Sequence, residues 1–70
     1  MKIFINGTAL TLDTEQVVVA DALSLFRQQS SLPALFALAL NGNFVGQQQY
    51  ASTLLNAGDS IDIFSPIQGG

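Results

Sequence analysis

One stretch of this chain reads as an amphipathic helix. Val19, Ala22, Leu23 and Phe26 fall at i, i+3, i+4 and i+7, a single stripe down an amphipathic helix of about three turns. Asp21 in its first turn and Arg27 near its last suit the helix dipole. The β-branched run Val17-Val18-Val19 belongs to the entry rather than the interior, and Ser30-Ser31-Leu32-Pro33 ends the helix. One helix has one apolar stripe to bury, so the rest of the chain must supply a sheet to cover it.

The flanking segments read as strands. Met1, Ile3 and Ile5 alternate with Lys2, Phe4 and Asn6, the period of a half-buried strand. Asn6-Gly7 is the strongest short hairpin signal, and across it Leu10 and Leu12 face one way. After the helix, Leu35 to Leu40 reads as a strand, Asn41-Gly42 as its turn, and Phe44-Val45 as a short fourth strand. Gly46 and the three glutamines form a loop, and Tyr50 to Leu55 is expected to make one helical turn with Leu54 and Leu55 under the sheet. Asn56-Ala57-Gly58-Asp59 is a turn before the last strand, Ser60 to Phe64. A hairpin, a crossover helix and further strands predict an α+β, β-grasp (ubiquitin-like) domain: a mixed sheet of about five strands with one main helix on one face. The first and last strands would be neighbours in its centre. Ile3, Ile5, Ile61 and Ile63 would face the helix, and Leu38, Leu40, Val19, Leu23 and Phe26 would complete the core. The domain is expected over residues 1–65, with residues 66–70 as a flexible tail.

Composition narrows the chemistry. The 70 residues hold no cysteine and no histidine, which removes disulfides, thiolate chemistry, the commonest general base and the commonest metal ligand. Two basic and five acidic side chains give a net charge of −3, the wrong sign for nucleic-acid binding. No bound cofactor or metal is expected, and Asp59 reads as a turn cap rather than one of a catalytic pair. Lys2 is followed by too short an apolar run for a signal peptide, and no stretch is long enough to span a bilayer. The expectation is a soluble, cytoplasmic protein.

Two features point outward. Gly69-Gly70 follows the spacer Ser65-Pro66-Ile67-Gln68, an arrangement that presents a backbone carboxylate on a slender arm. On the sheet, alternation sets Phe4 and Phe64 opposite the isoleucines. Their rings are expected to lie close together on the exposed face beside the small Ala39, as a docking patch or as a second minor core under the Gln47–Tyr50 loop. Tyr50 reads as a packing anchor with a wet hydroxyl.

Over essentially its whole length the chain resembles the ThiS family, the small sulfur carriers of thiamin thiazole biosynthesis. The resemblance is carried by Lys2-Ile3-Phe4-Ile5-Asn6-Gly7, Ala37-Leu38-Ala39-Leu40-Asn41, Phe44-Val45, Tyr50, Gly58-Asp59 and Ile67-Gln68-Gly69-Gly70. It implies that the chain is a co-substrate rather than an enzyme. An E1-like adenylyltransferase of the ThiF type, using ATP and Mg²⁺, would adenylate the Gly70 carboxylate. A sulfur donor such as a cysteine desulfurase would then convert it to a thiocarboxylate, and a thiazole synthase of the ThiG type would take up the sulfur. Pro66, Ile67, Gln68 and Gly69 would thread the partner's channel, while Phe4, Ala39 and Phe64 would dock. Gly46-Gln47 stands where many family members carry a Pro-Arg-like pair, which removes a charge used in recognition. Two alternatives stay open: the small subunit of molybdopterin synthase or another pathway's carrier, and a ubiquitin-like modifier or interaction module.

Overall fold

The computed structural model describes residues 1–33 and 35–65. Strands β1 (Lys2–Ile5) and β2 (Thr8–Thr11) form the opening hairpin, followed by helix α1 (Val19–Gln29). Strands β3 (Ala37–Leu40) and β4 (Asn43–Val45), a 3₁₀ turn at Gln47–Gln49, and β5 (Ser60–Phe64) complete the order. The five strands lie in one sheet in the order β2-β1-β5-β3-β4. β1 and β5 run parallel, and the other neighbours are antiparallel. This is the mixed sheet the sequence predicts, with the last strand at its centre.

Both two-residue turns adopt the left-handed geometry that an Asn-Gly pair supplies: Asn6 and Gly7 have φ of 51° and 82°, Asn41 and Gly42 of 50° and 86°. Each turn sets its register. The first pairs Ile3 with Leu10, and the second pairs Ala39 with Phe44.

No side chain caps the start of α1 in the ordinary way. The Val18 N–H donates to the Asp21 carboxylate at 3.2 Å. The next two N–H groups, of Val19 and Ala20, donate to the carbonyls of Thr53 and Tyr50, each at 2.9 Å. A distant turn thus satisfies the donors that a helix leaves open at its first turn. Val18 itself is extended and bridges Leu54, as a β-branched entry residue should be.

Ile3, Ile5, Leu38 and Ile61 from the sheet meet Val17 and Val19, and all six are fully enclosed. Leu10, Leu12, Ala22, Leu23, Val45 and Leu55 complete the buried set. Phe26, Leu40 and Ile63 pack against it from the rim, only partly buried.

Three local expectations are corrected. β3 begins at Ala37, not Leu35, which is 74% exposed in a bend. The partner strand β5 ends at Phe64, opposite Ala37, so residues further back have no ladder to join. The helical turn falls at Gln47–Gln49 rather than over Tyr50 to Leu55. There the Gln49 N–H reaches the Gly46 carbonyl at 2.8 Å, and the Gly46 N–H donates to the Gln49 side-chain oxygen at 3.3 Å. Finally, Leu55 is buried but Leu54 is 64% exposed. The segment is extended, and successive side chains of an extended chain point opposite ways.

Candidate functional site

The helix covers one face of the sheet and leaves the other open. Residues directly opposite in a ladder share a face, so the register lists the open side: Phe4 with Ser60, Asp62 with Ala39, Ala39 with Phe44, and Phe64 with Ala37. Phe44 and Phe64 are 74% and 55% exposed, whereas Phe4 is half-buried.

The expected contact between Phe4 and Phe64 is not made by this register. Phe4 pairs with Ser60, and Phe64 lies four residues further along β5, about 13 Å away at ~3.3 Å per residue. β1 ends at Ile5, so nothing on that strand reaches the level of Phe64. Phe44 pairs with Ala39 and so stands level with Asp62, two residues short of Phe64 along the sheet. Phe44 and Phe64 lie on either side of β3, roughly 10 Å apart across the sheet and about 7 Å apart along it, flanking the small side chains of Ala37 and Ala39. Phe44 was no candidate from the sequence pattern alone. Its signal is the Asn41-Gly42 turn, which pairs residue 44 with 39 and so places it on the open face. Ala39 lies at the centre of this patch, beside Asp62.

Pro66, Ile67, Gln68, Gly69 and Gly70 lie outside the described residues. The last described residue is Ser65, which follows directly from Phe64.

Elsewhere the polar groups are structural. Asp59 accepts from the Asn41 side-chain amide at 3.0 Å and from the Asn56 N–H at 2.7 Å, which fixes the turn before β5. Tyr50 packs against Phe36 with ring centroids 6.3 Å apart, and burial raises its phenol above the ordinary value of 10.0. It keeps its proton at neutral pH. A cleft of about 200 Å³ between α1 and these turns is lined by Leu23, Arg27, Phe36, Gln47 and Tyr50, among others; it holds no nucleophile paired with a base. Among the described residues no three acidic or otherwise ligating side chains gather around a point, and no helix is long and apolar enough to cross a membrane.

A five-stranded mixed sheet gripping one helix defines a ubiquitin-like β-grasp domain. The family model described as the ThiS family matches residues 3–70. The chain therefore belongs to the ThiS family, the small sulfur carriers of thiamin biosynthesis. Among solved structures, it is similar to the crystal structure of a thiamine biosynthesis protein (ThiS) from Geobacter metallireducens. That match has a TM-score of 0.80 and 24% identity, and covers 100% of both chains. It is also similar to the NMR solution structure of a thiamine biosynthesis protein from the same organism, with a TM-score of 0.69 and 23% identity over 100% of this chain and 88% of that one. At these identities the likeness establishes the fold. No curated protein matches the chain in sequence.

Proposed function

We propose that the chain carries sulfur as a thiocarboxylate on Gly70 and delivers it to thiazole formation in thiamin biosynthesis. The observation that carries this reading is the family match, which runs through the final Gly69-Gly70. A carboxylate is a poor electrophile because it is anionic and lacks a leaving group. An E1-like adenylyltransferase supplies both remedies: a Gly70 carboxylate oxygen attacks the α-phosphorus of Mg²⁺-bound ATP, and pyrophosphate leaves. A persulfide sulfur from a donor such as a cysteine desulfurase then attacks the acyl carbon and expels AMP. A second thiol cleaves the resulting acyl disulfide and leaves the thiocarboxylate. The chain's own side chains offer no competing chemistry, since it has neither cysteine nor histidine.

Intact mass spectrometry of the protein taken from sulfur-replete cells tests this directly. Exchange of one oxygen for sulfur at the last residue is the expected result. A ladder of amide conjugates would replace the reading with that of a modifier, and an unaltered mass when the activating enzyme and donor are co-expressed would overturn it.

The open face is the surface on which the activating enzyme would sit, with Phe64, Phe44 and Ala39 at its centre and Phe4 at its far side. Phe64→Asp places a charge in an apolar contact already 55% exposed. It is expected to weaken binding of the activating enzyme by at least about tenfold, as loss of an aromatic anchor does, while stability falls by less than about 1 kcal/mol. Titration calorimetry and thermal melting read the two effects. A collapse of the melting temperature with unchanged binding would instead make Phe64 a packing residue.

A further inference from the structure

Two backbone N–H groups of the central strand are held by side chains. On the β1 side, Phe4 N–H donates to the Asp59 carbonyl at 2.9 Å and Asn6 N–H to the Ile61 carbonyl at 2.8 Å. A parallel ladder with this pattern continues with the Ile63 N–H donating to the Asn6 carbonyl. Asn6, however, has entered the hairpin turn with φ of 51°. The Ile63 N–H donates instead to the Asn6 side-chain oxygen, at 2.8 Å.

The same exchange occurs at the other end of β5, against β3. Asn41 N–H donates to the Ser60 carbonyl at 2.7 Å. The return bond runs from the Ser60 N–H to the Asn41 side-chain oxygen at 2.9 Å, and Asn41 also has positive φ. Each Asn-Gly turn therefore takes a backbone carbonyl out of the ladder and replaces it with its own amide oxygen. Glycine would satisfy the turn equally well, but only a residue with a short side-chain acceptor satisfies both demands.

The two substitutions sit at opposite ends of β5, and only one is near the carrier's working end. We propose that Asn6 is a positioning residue for the carrier's reaction: its amide oxygen holds β5 at Ile63, beyond the last backbone pairing with β1. Together with the β3 ladder, which pairs Leu38 with Ile63 and Ala37 with Phe64, it sets where Phe64 stands on the docking face. This rests on the sulfur-carrier reading above.

Asn6→Gly keeps the positive-φ turn and deletes the acceptor; Asn41→Gly deletes the corresponding acceptor at the far end of β5 together with the amide donor to Asp59, and so is the more disruptive of the two for the fold. In the full-length chain, Asn6→Gly is expected to speed hydrogen exchange of the Ile63 amide about tenfold relative to Asn41→Gly, the factor an ordinary lost hydrogen bond carries. In ATP-dependent adenylation, Asn6→Gly is expected to raise KM for the carrier about tenfold with kcat within about twofold, and Asn41→Gly to leave KM within about twofold. A purely structural role would move Asn41→Gly at least as far as Asn6→Gly. Equal Ile63 exchange, or equal KM values for the two variants with an active wild type, overturns the proposal. A wild-type chain that forms no adenylate instead overturns the sulfur-carrier reading, and this proposal falls with it.

Discussion

Gly70→Ala is expected to abolish acyl-adenylate formation, lowering kcat/KM for the carrier by at least about a hundredfold, the penalty of misplacing a reacting group by about an ångström. Glycine permits backbone dihedrals closed to other residues and lets neighbouring atoms approach the main chain without a Cβ in the way. In the proposed reaction an activating enzyme would have to enclose the carboxylate beside the ATP phosphates, where such an approach is needed. The substitution is expected to leave thermal unfolding unchanged. Pyrophosphate release measured against a melting curve separates the effects. Appending one amino acid after Gly70 should be equally disabling, since it converts the reactive carboxylate into an amide. A Gly70→Ala chain adenylated at the wild-type rate would remove Gly70 from the proposed chemistry.

Ile61→Ala should have the largest effect on stability. Ile61 has no exposed surface, lies on the central strand, and pairs with Ile5 on one side and Leu40 on the other. Truncating a fully enclosed isoleucine costs about 2–5 kcal/mol through lost burial and the cavity left behind. A domain of this size has roughly 4–10 kcal/mol in total, so about a fifth or more of its stability would go. The melting temperature is expected to drop by more than about 10 °C. A shift of only a degree or two would mean that the sheet and helix can close around the missing atoms.

Much of the fold was legible because its signals are local. Asn6-Gly7 and Asn41-Gly42 each name a turn type, and the turn type fixes which residues face each other. The stripe Val19, Ala22, Leu23 and Phe26 announces the helix with no knowledge of its partner. What the sequence left hidden depends on distant partners. The start of β3 is decided by where β5 ends, and the capping of α1 by distant carbonyls, at Tyr50 and Thr53. The separation of Phe4 from Phe64 depends on the stagger of two parallel strands, which alternation cannot reveal: alternation gives the face of a residue, never its height on that face. The patch centred on Phe44 and Phe64 thus had to await the register, although half of it was already readable from the second hairpin. The tail chemistry rests on residues 66–70 as sequence, and there the family match carries more than geometry.

The strand order has a consequence for biosynthesis. β5 is the last of the described strands along the chain, yet it separates the two hairpins and is hydrogen-bonded to both. A nascent polypeptide still lacking residues 60–64 holds two β-ribbons and a helix with no common sheet to join them, and the non-local pairing must wait for the final strand. The complete sheet can therefore form only once residues 60–64 are available to join its two halves, and a chain lacking them has no common open face.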